Sequence, residues 1–451
     1  MKTATILLAA GKGTRMRSNL LKVLHPLGGK PMLWHTIQAV MQATNTPPTL
    51  VVGYQGDKVR DTFGDLVEYV TQKEQLGTGH AVLQVEPHLK GKADLVVVLL
   101  GDMPLLRGET IERLVATQQH NSGPISMLTV TAEDPRGFGR ILRNAEREVE
   151  AIIEEADCTQ EQLEINELNV SMYCFQSDWL WENLPKIPIS AKGEYYLTDI
   201  VSIARQQGLS VQAEVIEDGQ EAMGINTRIH LAEAEAILRK RINQAWMLSG
   251  VTIIDPATTY IEAGVSIGQD TTIYPNTYLQ GNTQIGSECQ IGPNSLVLDT
   301  LIGDRCKILS SVVEHARMED DVDIGPFAHL RKGAHLAQGV HMGNFGEVKN
   351  SYLAEGVKMG HFSYIGDATI GKNVNIGAGT ITCNYDGKNK HHTTIEEDVF
   401  IGSDTMLVAP LKIGKGARTG AGSVVINDIA EDTLVAGVPA RLLRKLDTEG
   451  E

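Results

Sequence analysis

Two cations and two glycines stand close together in Leu8-Ala9-Ala10-Gly11-Lys12-Gly13-Thr14-Arg15-Met16, directly behind an apolar run. Gly11 and Gly13 allow backbone N–H groups to close on phosphate oxygens, while Lys12 and Arg15 supply charge. Lys22, seven residues past Arg15, can fold back to the same phosphates. With Met at position 16 the spelling is neither GxxxxGK[ST] nor GxGxxG, and alone it reads equally as a turn. Farther on, Gln72-Lys73-Glu74-Gln75-Leu76-Gly77-Thr78-Gly79-His80 sets amides and glycine backbone at a helix start. A Gln amide offers donor and acceptor together, which matches the edge of a uracil ring. Val96–Leu100 then runs into Gly101-Asp102-Met103-Pro104, where a carboxylate at a strand's carboxyl end suits a hard divalent cation, or simply caps a turn.

A second constellation comprises Arg331, Lys349, His361, Tyr364, Asn375, Asn384-Tyr385-Asp386-Gly387 and Lys390. Any one of these could be an ordinary solvated surface residue. Together they could clamp a phosphate through Arg331 and Lys349 and supply a general base at His361. Amine attack on a thioester needs an unprotonated nitrogen, so a base here suits acetyl transfer.

The elements that must hold the first group alternate. Thr3–Ala10, Thr49–Gly53, Asp94–Leu100, Ser126–Thr131 and Val170–Phe175 read as strands; residues 31–43, 79–89, 109–119 and 196–207 read as helices. Such alternation predicts a mostly parallel sheet covered on both faces, with ligands at the carboxyl ends of its strands. Arg228–Met247 carries apolar residues at three- and four-residue spacing and reads as a long connecting helix.

The elements holding the second group repeat every six residues. Ile261, Ile267, Ile273, Leu279, Ile285, Ile291 and Val297 form a ladder that neither a helix nor a flat strand generates. A triangular coil with six-residue sides does, and over residues 251–430 we read a left-handed parallel β-helix rather than hairpins. Ile302 and Ile308 follow after a slip, Asp320–Lys349 reads as irregular, and Leu353, Met359, Ile365, Ile370, Ile376, Ile401, Leu407, Ile413, Thr419 and Val425 resume it. The broken half is expected to carry the chemistry and the regular half to be scaffold.

Length and charge bound the remaining options. A chain of 451 residues accommodates two or three domains, and 40 basic against 56 acidic residues give −16, which excludes a basic nucleic-acid footprint. No stretch approaches a membrane span or a cleavable leader. Five scattered cysteines without a CxxC pair point to free thiols in a reducing, cytoplasmic setting.

In order, LAAGKGTRM, Lys22, QLGTGH and GDMPL resemble the sugar-1-phosphate nucleotidyltransferases. With the coil and its HMGNFGEVKNS, GHFSYIGD and NVNIGAGTITCNYDG, nearly the whole chain resembles one bacterial family. That family comprises the bifunctional N-acetylglucosamine-1-phosphate uridylyltransferase / glucosamine-1-phosphate N-acetyltransferases. The resemblance implies an α/β Rossmann-like nucleotidyltransferase domain over 1–226, a linker helix over 227–249, and a hexapeptide-repeat β-helix acetyltransferase domain over 250–440. A tail follows over 441–451.

The resemblance also implies roles for individual residues. Leu8, Ala9, Ala10, Gly11, Gly13, Gln72, Gly77 and Thr78 would hold UTP, with Arg15 and Lys22 on its phosphates. Gly137, Glu154 and Asn169 would bind the amino sugar, and Asp102 and Asn226 would hold Mg²⁺. His361 would be the base with Glu347 orienting it. Arg331, Lys349, Tyr364, Asn375 and Lys390 would bind glucosamine-1-phosphate; Ala378, Asn384, Tyr385, Ser403 and Ala421 would line an acetyl-CoA groove. A homotrimer is implied, without nucleic-acid or membrane partners. Two departures stand out: Leu100 replaces a frequent aromatic, and no arginine stands at Gly437, Arg441 being the nearest. Two rivals remain, a nucleotidyltransferase whose coil only assembles or regulates, and a sugar-phosphate-binding scaffold with dead sites. The His361–Lys390 group counts against the first, and intact Lys22, Asp102 and His361 against the second.

Overall fold

A computed structural model describes residues 1–445 except 134 and 136. The chain divides into two compact units, Met1–Leu238 and Arg239 onward, and the division falls within the helix Arg228–Leu248.

In the first unit the strands Thr3–Ala9, Leu95–Leu100, Thr49–Val52 and Glu68–Thr71 pair in parallel. Their Val, Ile and Leu runs follow from burial on both faces. Alternate residues divide between two cores: Leu7, Val97 and Leu99 face one, Ile6, Val96 and Val98 the other. Met32–Thr44 and Gly108–His120 belong to the first side; Thr78–Leu83, Ser177–Asn183 and Asp199–Gln206 to the second.

The expectation of a mostly parallel sheet holds only in part, because Glu167–Gln176, Gly139–Arg143 and Val149–Ile153 pair antiparallel. Glu167–Gln176 lies antiparallel between Leu95–Leu100 and Ile125–Thr131. Its ladder is interrupted between Asn169 and Tyr173, with Ser171 at φ 55°. A bulge re-aims side chains, and this one brings Ser171 and Tyr173 into the cavity described below. The helix expected from residue 196 begins only at Asp199. The strands Glu68–Thr71, Gly139–Arg143, Val149–Ile153 and Val211–Val215 are additional to those the sequence suggested.

The second unit is the expected parallel β-helix. Its short strands stack into three sheets of 12, 10 and 9 strands, in which strands pair in parallel with their equivalents a turn away, apart from the final Ala440–Lys445. Inward aliphatics are buried, for instance Ile273, Leu279, Ile291 and Val297 at 0 % exposure. The stretch Asp320–Lys349, expected to be irregular, is regular: Ile324, Leu330, Leu336, Met342 and Val348 keep period six and are fully buried. The ladder had only changed phase, because the sides from Val297 to Ile302, Ile308 to Val313 and Val313 to Met318 are five residues long. The one long interruption is the excursion between Thr382 and Thr393, closed by a Tyr385–Lys390 bridge. Ile242 and Trp246 of the long helix pack on the start of the coil, and Asn243 Nδ2 donates to Pro256 and Thr259 carbonyls at 3.0 and 3.1 Å. At the far end Ala440–Lys445 returns antiparallel on Thr433–Gly437, pairing Arg441 with Ala436. The acidic end of the expected tail lies outside the described residues.

Candidate active sites

At the carboxyl ends of the parallel strands of the first unit lies a cavity of about 440 Å³. It gathers Leu8, Ala9, Ala10, Gly11, Lys22, Gln72, Gly77, Thr78, Asp102 and Glu154 from the sequence-predicted set. Gly77 adopts φ 98°, and a Cβ there would meet the Tyr195 carbonyl at 2.6 Å, so only glycine lets this turn lie against Tyr195. Gln72 is buried; its Nε2 donates to Gly77 O and lies 3.1 Å from His80 Nδ1. With its amino group held by the protein, Gln72 keeps its carbonyl oxygen for a ligand.

Lys22 makes the central contact. Its ammonium is paired with Asp102 and donates to Asn226 Oδ1 at 3.0 Å. The Ile225 N–H donates to Asp102 O at 2.9 Å, holding the segments of the two oxygens side by side. A carboxylate and a carboxamide oxygen thus converge on one positive charge. This donor set fits a hard divalent cation whose other positions come from water and substrate oxygens. Among the described residues no cluster of three His, Cys, Asp or Glu offers an alternative.

Five predicted residues stand outside the cavity lining, of which Asn226 is tied to it through Lys22. Gly13, at φ 61°, lies against Lys22, whose Cβ a side chain there would strike. Arg15 and Gly137 are exposed. Asn169 is buried behind the wall, where its amide exchanges hydrogen bonds with the Tyr173 hydroxyl at 2.9 and 3.1 Å and accepts from Ser171 N. In this arrangement it orients Tyr173 and Ser171. Burial raises the Glu154 pKa above its ordinary value; Thr198 Oγ1, donating at 3.1 Å, partly opposes this.

The lining also includes Gln75 and Glu194, and Tyr196, Leu197 and Thr198, the last three missed by assigning residues from 196 to a helix. The Thr198-Asp199 pair is the available signal: a Thr-Asp step marks a helix start and leaves 194–198 as site-facing loop.

In the coil the second constellation lies on and around one face. Two residues past inward Met359, Ile376, Ile401 and Thr419 stand His361, Ala378, Ser403 and Ala421, at one corner of four successive turns. His361 is exposed there, at the start of the strand Ser363–Gly366. At that strand's other end Lys349 pairs with Gly366, and a Cβ on Gly366 would collide with the Tyr364 hydroxyl.

Arg331 occupies the turn before, one residue past inward Leu330. Lys390 and then Arg331 hold the Lys349 pKa below its ordinary value, so three cations face one another. Neither Lys349 nor Lys390 has a carboxylate within ion-pair distance among the described residues. Glu347, expected to orient His361, accepts from Arg331 Nη1 at 2.7 Å and thereby holds the guanidinium. Asn384 is buried, whereas Tyr385 is exposed on the excursion. Asn375 does not join this group within one chain: it pairs with Lys358 and Phe400 in the 12-stranded sheet, across the His361 corner from Tyr364.

Comparison with known proteins agrees with both halves. The sequence model of the MobA-like NTP transferase domain matches residues 5–164, and that of the bacterial transferase hexapeptide matches 264–298 and 392–427. A bifunctional protein GlmU of Heliobacterium modesticaldum is 46 % identical over 434 residues, covering 96 % of this chain and 95 % of its own. Those of a Geobacillus and an Exiguobacterium species are 46 % identical over 435 residues, with 95 % and 96 % of their own lengths covered. A nucleotidyltransferase half and a hexapeptide-transferase half, aligned end to end with such relatives, make the chain a member of the bifunctional GlmU family of transferases.

Proposed function

We propose that the chain makes UDP-N-acetylglucosamine in two steps at two sites. The coil transfers acetyl from acetyl-CoA to glucosamine-1-phosphate; the α/β unit then transfers uridylyl from UTP to the N-acetylated sugar phosphate. The observation that carries the reading is the corner column of His361, Ala378, Ser403 and Ala421, beside two lysines without carboxylate partners. A coil serving only as scaffold has no use for unpaired adjacent lysines, whose repulsion an arriving phosphate relieves.

In the acetyl step His361 takes a proton from the amine as its nitrogen attacks the thioester carbon; the new C–N bond replaces C–S and releases the thiol. Arg331, Lys349 and Lys390 hold the sugar phosphate. In the uridylyl step a phosphate oxygen of the sugar attacks the α-phosphorus of UTP and pyrophosphate leaves. That oxygen is already anionic, so no general base is required, and Lys22 and Arg15 neutralise developing charge. Gln72 presents its free carbonyl oxygen to the uracil N3–H, which cytosine lacks. Gly137 and Glu154 receive the amino sugar, and Asn169 acts through Tyr173 and Ser171. Mg²⁺, when held by Asp102 and Asn226, supplies charge neutralisation at the phosphates.

Asn375 on an adjacent face supports a site completed by another copy, and hence a trimer. Five free cysteines support a reducing, cytoplasmic setting, and no helix among the described residues is long and apolar enough to cross a membrane. The test is thiol release from acetyl-CoA on addition of glucosamine-1-phosphate. His361→Ala should abolish it while UTP-dependent pyrophosphate release persists; a variant losing both activities, or neither, contradicts two independent sites.

A further inference from the structure

A carboxylate stands within the cation group, where a phosphate site would ordinarily exclude one. Asp367 lies two residues past inward Ile365, at the end of the strand opposite His361. Asn350 and Asn384 hold the equivalent positions in the turns before and after, two residues past Val348 and Thr382. The three side chains form a vertical ladder: Asn350 Nδ2 donates to Asp367 Oδ1 at 2.6 Å and Asn384 Nδ2 donates to Asp367 Oδ2 at 2.5 Å. Burial would raise the Asp367 pKa, but these two bonds, aided by Lys390 and Lys349, hold it below its ordinary value.

Structure alone does not require the charge. Elsewhere on the coil, corners are joined by an amide ladder, Asn276 Nδ2 donating to Asn294 Oδ1 at 3.1 Å. Both of those residues have φ near that of Asp367, 56° and 52° against 51°. An asparagine at 367 would therefore fit the backbone and the ladder. A carboxylate differs in one respect: it only accepts, so it fixes the Nδ2 side of both neighbouring amides toward itself. The Asn384 carbonyl oxygen is thereby turned away from the ladder, free to accept an N–H from a ligand. Both carboxylate oxygens are occupied by amides, so the nearby lysines stay available for a phosphate.

We propose that Asp367 is a positioning residue of the acetyl-transfer site, fixing the amide of Asn384 toward the amide-bearing arm of the coenzyme while tempering the affinity of Lys349 and Lys390 for phosphate. This rests on the proposed acetyl-transfer reading. In the full-length protein Asp367→Asn lets the amide at 384 rotate and removes a negative charge beside the lysines. The KM for acetyl-CoA should rise roughly ten-fold, by loss of one charge-assisted hydrogen bond. Inhibition by inorganic phosphate, competing with glucosamine-1-phosphate, should become stronger, and thermal stability should stay within a few degrees of the parent.

Opposite movements of the two affinities are what a merely structural role does not produce. Asn384→Ala should raise the acetyl-CoA KM similarly, and combining it with Asp367→Asn should add nothing further. Independent, additive effects, or an unchanged acetyl-CoA KM in Asp367→Asn, would overturn the role of Asp367 while parental thiol release stands. Absence of thiol release in the parent chain would instead overturn the underlying reading.

Discussion

Lys22→Met tests the first site most directly, because on the proposed reading Lys22 and a divalent cation compete for the same two oxygens. The ammonium is paired with Asp102 and donates to Asn226 Oδ1 at 3.0 Å, and the ion-paired side chains are 14 % and 18 % exposed. An exposed pair is worth under about 1 kcal/mol, whereas breaking a buried one costs about 3–5 kcal/mol. This partly buried pair falls between, at about 1.5–3 kcal/mol, or roughly 10- to 100-fold in an equilibrium constant. A metal arriving without nucleotide must first displace the ammonium and forfeits that amount. Methionine keeps the length of the side chain and removes the competitor, leaving Asp102 a carboxylate in want of a cation. Titration of Mn²⁺ by electron paramagnetic resonance, without nucleotide, should therefore show the variant binding at least about ten-fold tighter than the parent. Adding Asp102→Asn should cancel the gain. Pyrophosphate release should nevertheless fall about 10²–10³-fold, since a charge that stabilises the transition state is lost. Equal or weaker Mn²⁺ binding by Lys22→Met would refute the competition.

Glu154 gives a pH-dependent expectation. Burial lifts its pKa above the ordinary 4.5, so the unfolded chain gives up this proton more readily than the folded one. The cost to stability is absent below about pH 4.5 and grows as pH rises through the folded value. Glu154→Gln keeps an acceptor for Thr198, and should raise the unfolding temperature near pH 8 while leaving it unchanged near pH 4. Equal gains at both pH values would contradict the assignment of burial as the cause. Arg331→Ala should weaken glucosamine-1-phosphate, raising its KM roughly ten-fold or more with the acetyl-CoA KM unchanged, because a charge-assisted phosphate contact goes. Steady-state thiol release with each substrate varied in turn checks this.

Much of this organisation was legible because it is periodic. A strand buried on both faces reads as a Val and Ile run, and a six-residue coil side reads as an aliphatic every sixth position. What failed was phase. Three five-residue sides between Val297 and Met318 move the register, so the stretch of Leu330, Leu336, Met342 and Val348 reads as irregular although all four are buried. The glycine loop, Lys22 and Asp102 were findable because their chemistry is local. Tyr196, Leu197 and Thr198 were not, since the Thr198-Asp199 step marks only where the helix begins and not that the loop before it reaches the cavity. Glu347 shows the same limit in reverse. The family resemblance suggested His361 as its partner, but the pairing of successive turns brings it to Arg331. The ladder Asn350–Asp367–Asn384 emerges only when corners are counted from the inward residue.

Positions two past the inward residue place His361 on the corner between the 12- and 10-stranded faces, with Tyr364 on one side and Asn375 on the other. A sugar lying over Tyr364, with its phosphate toward Lys349, has its back to the Asn375 of its own chain. If Asn375 contributes, it must come from a neighbouring copy, and two differently disabled chains should repair each other. His361→Ala and Asn375→Ala variants, each inactive in thiol release, should regain activity when unfolded together and refolded as a mixture. In a cyclic assembly with random mixing, each site needs His361 from one chain and Asn375 from the next, so about one quarter of sites should be intact. Recovery near that fraction, absent when the variants are refolded separately, supports the shared site. No recovery, from mixtures shown to contain both chains in one particle, would place the whole site within a single chain.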